Sequence, residues 1–165
     1  MIAIPVKSEK YGLKHFFIDG EDFEKVKGFT WSINHKRDNA VVSKTKGKDR
    51  KGIKLHRLIM GADENSIVDH KDGNPLNNQK ENLRICDRTE NNCNRKISIL
   101  ESKTSKYKGV SFKSEQKKYI AQIQISGIKK HIGYFDNEIE AAKAYNKSAI
   151  KLHGEFARLN IIEYK

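Results

Sequence analysis

Four polar residues near the middle of the chain have types and spacings that suit hydrolysis of a phosphodiester bond. Asp69 and His70 are adjacent, Asn82 follows His70 by twelve residues, and Asn91 follows Asn82 by nine. A carboxylate and an amide oxygen are hard ligands, and with phosphate oxygens and water they complete the octahedron that Mg²⁺ prefers. A neutral imidazole can take a proton from an attacking water, because its ordinary pKa of ~6.5 is close to working pH. An amide oxygen on the other ring nitrogen would fix the tautomer.

The elements around these residues predict that they converge. Residues 66–70 are typical of a short strand, 71–81 of a loop rich in Gly, Asn and Pro, and 82–86 of a return strand. Thr89 can cap a helix that runs to about residue 99. The order strand, loop, strand and helix brings the four polar residues toward the mouth of one hairpin.

This segment resembles HNH endonucleases of the ββα-metal type, the phage and homing kind in which Asp-His replaces the first pair of histidines. The resemblance rests on four motifs, namely HRLIM at 56–60, Asp69-His70, NLR at 82–84 and NNCNR at 91–95. It implies a DNA endonuclease with one Mg²⁺ or Mn²⁺ per active site. In that family pattern Asp69 and Asn91 bind the metal, His70 is the general base, and Asn82 orients His70.

Other polar residues of this segment have two interpretations each. Arg57, Arg84 and Arg95 are candidates for contacts with DNA phosphates, although Arg84 could equally be a solvated strand residue. His56 could contact the DNA backbone or pack in the short helix predicted at 54–60. Asp72 stands in an Asp-Gly-Asn sequence, which favours a turn residue over an alternative metal ligand.

The number and spacing of the cysteines argue against a structural zinc. Many HNH proteins hold a structural zinc with two Cys-x-x-Cys pairs, whereas here Cys86 and Cys93 are seven residues apart and no other cysteine exists. We therefore expect no structural zinc and two buried, reduced thiols. Residues 1–10 contain no apolar run typical of an export signal, so we expect a cytoplasmic protein of a bacterial or phage-infected cell.

The C-terminal segment has a different pattern. Three β-rich runs, at 107–112, 118–126 and 129–135, are joined by short turns. Asp136 or Asn137 can then cap a helix that continues to about His153, with apolar residues on one face and lysines on the other. This pattern predicts a three-stranded antiparallel sheet with one helix packed on its back.

This segment is similar to the plant ethylene-response-factor (Apetala-type) DNA-binding domain. The matching motifs are YKGV at 107–110, IGYF at 132–135, EAAKAY at 140–145 and GEFARLN at 154–160. The resemblance implies that the outer face of the sheet lies in the major groove, with DNA contacts from Lys108, Ser111, Lys113, Lys118, Gln124, Lys129 and His131. Plant domains have Arg and Trp at several of these positions. Since Lys cannot repeat the bidentate Arg–guanine contact, the plant target does not carry over.

Composition and charge agree with a polyanionic partner. The 165 residues include 33 Lys and Arg against 21 Asp and Glu, a net charge of +12, shared evenly between residues 1–100 and 101–165. No run approaches the ~20 apolar residues of a membrane-spanning helix.

Upstream of these segments, residues 31–35 and 40–44 predict a hairpin. Residues 36–57 hold nine basic and two acidic side chains, and this run is either a solvated loop or a loop that faces phosphates.

We therefore predict an α+β protein with an HNH nuclease domain and β-rich extension at 1–100, a linker at 101–106 and a DNA-binding sheet domain at 107–160. The predicted function is site-directed, homing-type cleavage of double-stranded DNA, by nicking or a double-strand cut, with no membrane or obligate protein partner. The alternative is a catalytically inactive DNA-binding regulator. An RNA-binding protein would instead carry stacking aromatics on the exposed sheet face, where this sequence has Lys and Gln.

Overall fold

The protein folds as two compact units. The structure is a computed structural model that describes residues 1–8, 10–35, 39–43, 52–95 and 104–162. Its units are Met1–Asp87 and Arg88–Lys165. This division falls earlier in the chain than the predicted linker at 101–106, of which 101–103 lie outside the described residues. The described part of the chain combines small antiparallel sheets with a few helices, a mixed α and β fold, and none of these helices is both long and apolar enough to span a membrane.

The first unit begins with two small sheets. Strands β1 (Ile2–Ser8) and β2 (Gly12–Ile18) form an antiparallel hairpin. A one-turn helix, α1 (Phe23–Val26), leads to a second antiparallel sheet of β3 (Trp31–Ile33), β4 (Val41–Ser43) and β5 (Ile53–Lys54). The β3–β4 pair confirms the predicted hairpin. Its predicted turn falls at 36–39, and residues 36–38 lie outside the described residues, as do 44–51 of the basic run.

The core of the first unit follows strand alternation. Phe16 and Ile18 of β2 are fully buried, and Val6 of β1 is buried beside them. They pack with Val41 and Leu55 in one apolar cluster. The ring of Trp31 lies against Phe16 with a centroid distance of 6.1 Å. This core is the platform on which the following hairpin is built.

The predicted hairpin follows a short helix. Helix α2 (Leu55–Met60) ends at Gly61, whose left-handed φ of 59° suits a residue without a Cβ. Strands β6 (Ile67–His70) and β7 (Leu83–Cys86) then pair antiparallel, which confirms the predicted strand, loop and return strand.

The next helix is shorter than predicted. Helix α3 spans Arg88–Cys93, so it ends well before residue 99, and Thr89 lies inside it instead of capping it. The segment is rich in Asn, which is a weak helix former, and this composition limits the helix to six residues. Residues 96–99 of the predicted helix lie outside the described residues. Helix α3 belongs to the second unit.

The second unit continues with the predicted sheet and helix. Strands β8 (Val110–Lys113), β9 (Lys118–Ile125) and β10 (Ile128–Phe135) form an antiparallel sheet in the order β10-β9-β8. Helix α4 (Glu138–His153) is capped by Asn137, whose Oδ1 accepts a hydrogen bond of 2.7 Å from the Ile139 amide. Fully buried alanines of α4 pack against β9, so the helix lies close to the sheet.

One glycine of the YKGV motif has a clear structural reason. Gly109 has a φ of +73°, and a Cβ there would lie 2.2 Å from the Tyr145 ring and 2.4 Å from the Gln122 carbonyl oxygen. The Gln122 amide donates to the Gly109 carbonyl at 2.7 Å. Glycine therefore lets the chain approach both α4 and β9 at the start of the sheet.

Candidate active site

The β6–β7 hairpin places the Asp-His pair at the end of a strand. In the antiparallel register Asp69 lies opposite Arg84, and His70 lies opposite Leu83. The loop that joins the strands occupies 71–82 and ends in a 3₁₀ turn, Lys80–Asn82. His70 is buried, with 8% of its surface exposed.

Asp69 forms an ion pair with Arg84 across the hairpin. The Arg84 Nη2 and Nε donate to the same carboxylate oxygen, Oδ2, at 2.8 and 3.1 Å. Both side chains are about nine-tenths buried, at 8% and 10% exposure. Opposite charges at directly facing strand positions attract, so the strand register itself creates the pair. The structure thus places the Arg84 guanidinium against Asp69, neither as a solvated strand residue nor as a free cation.

The side chain that bonds the His70 ring is Asn78. The His70 Nε2 and the Asn78 Oδ1 are 3.2 Å apart, and Asn78 is fully buried. The Asn78 Nδ2 donates to the Pro75 carbonyl at 3.2 Å. Sequence reasoning predicted an amide on the ring but did not select this one. The only local signal was that Asn78 lies in an Asn-rich loop.

Asn82 holds the loop together. Its Oδ1 accepts from the Asp72 amide at 3.1 Å, and its Nδ2 donates to the Asp72 Oδ1 at 3.0 Å and the Asn77 carbonyl at 2.8 Å. This side chain at the end of the loop therefore ties the start of the loop to its middle. The role of orienting His70 directly, which the family resemblance implies for Asn82, stays a prediction.

Asp72 is a turn residue, as its sequence context favours. Its Oδ1 accepts from the Asn74 amide at 2.7 Å, and its Oδ2 accepts from the Asn77 Nδ2 at 3.0 Å. Burial by itself raises the pKa of Asp72, but hydrogen bonds from Asn74, Asn77 and Asn82 outweigh it and bring the pKa below 3.8. The charged carboxylate is thus fully used in shaping the loop.

His56 packs beneath His70. It is buried on α2, and its ring meets the His70 ring edge to face, with centroids 5.1 Å apart. Of its two interpretations, the structure therefore favours the packing role. This contact supports the His70 ring from the side of α2.

Strand β2 braces the loop from the opposite end of the unit's sequence. The Phe17 amide donates to the Leu76 carbonyl, and the Asn78 amide donates to the Phe17 carbonyl, both at 2.8 Å. Just beyond β2, Asp19 Oδ2 accepts from the Lys80 amide at 2.8 Å and Oδ1 accepts from the Gln79 Nε2 at 3.2 Å. These bonds lower the pKa of Asp19, the Lys80 amide most strongly.

The hydrogen bonds of Asp19 predict that this carboxylate contributes to the acid sensitivity of the first unit. Its folded-state pKa lies below the ordinary 3.8, so its contribution is present above that value and is lost as pH falls through the lowered one. We expect Asp19→Asn to make the acid destabilisation of the first unit shallower below pH 3.8. Fluorescence of Trp31, the single tryptophan, measures this unit. Exposed Glu64→Gln is the control, and a wild-type acid profile for Asp19→Asn would contradict the expectation.

Lys108 closes the C-terminal end of α3. Its Nζ donates to the carbonyl oxygens of Cys93 at 2.6 Å and Arg95 at 2.8 Å, where the last helical turn has acceptors without amide partners. Burial, reinforced by Arg158 and Arg95, lowers the pKa of Lys108 to about 8. The predicted DNA-contacting ammonium is therefore engaged within the protein, on the helix that carries Asn91.

The outer sheet face collects most of the other predicted DNA contacts. The register pairs Lys113 with Lys118, and Lys129 with Gln124, so these side chains share one face. Ser111 and His131 belong to the same face by strand alternation. Ile120 on this face is buried, so the surface is not uniformly polar.

Several of these side chains have partners in the protein. Lys118 pairs with Asp136 at 3.3 Å while remaining 44% exposed, and the Gln124 Nε2 donates to the Gly127 carbonyl at 3.1 Å. Arg57 donates to the Asp63 and Ser66 carbonyls and so braces the turn after α2. Arg95 is exposed just after α3.

The donor set suits a hard divalent cation. The Asp69 carboxylate and the Asn91 amide oxygen are of the class that binds Mg²⁺ or Mn²⁺. Among the described residues no group of three or more His, Cys, Asp or Glu could hold a metal ion. Asp69 belongs to the first unit and Asn91 to the second, and metal binding by this pair stays a prediction.

Comparison with known proteins places this site in a family context. A family model described as HNH endonuclease matches residues 54–93. The chain is 32% identical over 154 residues to a protein of Acanthamoeba polyphaga mimivirus named an uncharacterized HNH endonuclease, covering 90% of this chain and 75% of that protein. It is 35% identical over 91 residues to Protein 3.8 of Escherichia phage T7, covering 55% and 73%. The matched segment contains the whole β6–β7 hairpin and helix α3.

Proposed function

Because the chain belongs to the HNH endonuclease family, we propose that it is a homing-type endonuclease that cuts double-stranded DNA at chosen sites. The observation that carries this proposal is the state of His70. Its ring follows Asp69 at the end of β6, is buried, and is held through Nε2 by an amide oxygen. A ring held in this way suits proton transfer.

In the proposed reaction, His70 accepts the proton of the water that attacks the scissile phosphate. Asp69 and Asn91 would hold a divalent cation, which when bound neutralises charge that develops on the leaving 3′ oxygen. Arg84 keeps the Asp69 carboxylate in place through two hydrogen bonds. Asn82 keeps the loop between the two strands closed.

DNA is proposed to lie on the outer face of the β8–β9–β10 sheet, in the manner of ethylene-response-factor domains. Support comes from the shared face of Lys113, Lys118, Gln124 and Lys129. Gln124 presents an amide that can pair with adenine, whereas the lysines act as point charges on phosphates. The sheet therefore supplies site choice and affinity, and the β6–β7 hairpin supplies cleavage.

One site per chain cuts one strand, so a monomer nicks, and a double-strand cut needs two copies or two visits. We place the action in the cytoplasm of a bacterial or phage-infected cell, since one relative belongs to Escherichia phage T7.

Cleavage is expected to require a divalent cation. Incubation of phage or plasmid DNA with the full chain should give nicked or linear products, EDTA should stop the reaction, and Mg²⁺ or Mn²⁺ should restore it. Sequencing the new DNA ends would define the target. Full cleavage in EDTA would contradict the metal mechanism. Tight DNA binding without cleavage in either metal would favour the catalytically inactive regulator.

DNA affinity is expected to fall steeply with salt. If about six lysines contact phosphates, log K falls against log salt with a slope of roughly −5. Fluorescence anisotropy with a labelled duplex measures the slope, and Lys129→Ala should reduce its magnitude by about one. Lys147→Ala on the exposed side of α4 is the matched control and should leave the slope unchanged. A slope near zero would show that the basic residues behind the net charge of +12 do not contact DNA phosphates.

A further inference from the structure

The buried amide of Asn78 has a defined orientation. Its Nδ2 donates to the Pro75 carbonyl at 3.2 Å, and its Oδ1 lies 3.2 Å from the His70 Nε2. A backbone carbonyl oxygen only accepts hydrogen bonds, so the NH₂ group must face Pro75. The amide oxygen must then face the His70 ring.

This orientation decides the tautomer of His70. An amide oxygen is an acceptor, so the ring nitrogen that faces it, Nε2, must carry the hydrogen. In a neutral imidazole with Nε2–H, the lone pair able to accept a proton is on Nδ1. The hydrogen-bond network therefore specifies which ring nitrogen acts as the base.

The position of Asn78 is in turn set from outside the hairpin. The backbone amide of Asn78 donates to the Phe17 carbonyl at 2.8 Å. The Leu76 carbonyl accepts from the Phe17 backbone amide, also at 2.8 Å. Phe17 and Asn77 form a parallel bridge, so the loop runs as a short extra strand beside β2. Asp19 then secures the next two residues of the loop.

The side chain of Asn82, which was predicted to orient His70, has other hydrogen-bond partners. Both donors and the acceptor of the Asn82 side chain have partners in Asp72 and Asn77. Asn82 therefore shapes the loop, and the contact with the ring is made by Asn78.

We propose that Asn78, held by strand β2, is the positioning residue that keeps His70 in the Nε2–H tautomer with Nδ1 as proton acceptor. The catalytic consequence rests on the proposed nuclease function, whereas the tautomer itself does not. The N-terminal hairpin thereby becomes part of the catalytic apparatus without touching substrate.

The tautomer is tested directly by nuclear magnetic resonance. Two-bond ¹H–¹⁵N correlations of the histidine rings of the ¹⁵N-labelled full chain distinguish Nε2–H from Nδ1–H, and His70→Gln assigns the His70 signals. The measurement is made about two pH units above the ordinary histidine pKa of ~6.5, where a ring with that pKa is neutral. We expect a single Nε2–H form in the wild type. A predominant Nδ1–H form would overturn the proposal.

The variant test compares Asn78 with an exposed asparagine of the same unit. Asn78→Ala should shift His70 toward a tautomer mixture and lower the single-turnover cleavage rate by about 10- to 100-fold, as loss of an orienting partner does at comparable sites. Asn78→Asp keeps an acceptor for Nε2–H and should retain the tautomer. Asn65→Ala removes an exposed amide side chain of the first unit and should change neither quantity.

The outcomes separate the two proposals. An unchanged tautomer and rate in folded Asn78→Ala would overturn the positioning role. If Asn78→Ala fails to fold, Asn78→Asp decides, and loss of the Nε2–H form there would overturn it. If the tautomer shifts as expected but the wild type cuts no DNA, the nuclease proposal fails while the positioning contact stands.

Discussion

His70→Ala is expected to lower the single-turnover cleavage rate by about 10²–10⁴-fold, the usual worth of a positioned general base, with little change in DNA affinity. The ring is buried and, when neutral, adds no net charge to the proposed DNA-binding surface. Its loss therefore removes proton transfer and leaves the phosphate contacts in place. The measurement pairs a gel-shift titration with a nicking assay at saturating protein on one labelled site.

Two other substitutions make this result specific. His15→Ala removes an exposed imidazole from β2 of the same unit and should leave both the rate and the affinity unchanged. Lys129→Ala should show the converse of His70→Ala, with weaker binding and an unchanged rate at saturation. Wild-type cleavage by His70→Ala would remove the general-base assignment, and the DNA-binding regulator would become the better interpretation.

Arg84→Met is expected to lower the free energy of unfolding of the first unit by about 3 kcal/mol, the low end for removing one partner of a buried ion pair. Arg84 and Asp69 are each about nine-tenths buried, and the guanidinium supplies two hydrogen bonds to the carboxylate. Removing the guanidinium leaves a desolvated carboxylate without that compensation. Urea unfolding followed by Trp31 fluorescence measures the change in this unit.

A double-mutant cycle tests the pairing itself. Asp69→Asn combined with Arg84→Met should cost less than the sum of the two single changes, because the second change no longer breaks a pair. Exposed Lys7→Met on β1 of the same unit is the matched control and should stay within about 0.5 kcal/mol of the wild type. A near-neutral Arg84→Met would show that the ion pair contributes little to the hairpin.

The sequence by itself determined most of the elements and the family of this protein. Alternation and turn residues predicted the β3–β4 and β6–β7 hairpins, the three-stranded sheet and helix α4, and the structure confirms them. These signals are local, since side-chain period and capping residues act within a few positions of the chain. The motif spacing likewise indicated the HNH family, which the relatives support.

Where local signals were weak, the prediction was less accurate. The length of α3 and the role of Thr89 were wrong because an Asn-rich segment carries little helix propensity to define its ends. The predicted linker at 101–106 stays a prediction, and the division after Asp87 follows the contacts within each unit, which composition does not show.

Only the tertiary structure decided which partners hold the site. Arg84 was predicted either to contact DNA phosphates or to be a solvated strand residue, and the hairpin register places it against Asp69. In the sequence, Asn78 is one of several amides in the loop. Its backbone hydrogen-bonds to β2, about 60 residues earlier in the chain, and its side chain contacts His70. Lys108 acquired carbonyl partners from α3 in the same way. No periodicity in the sequence relates the residues of these contacts. Buried polar groups need hydrogen-bond partners, and the packing of the chain decides which partners lie within reach.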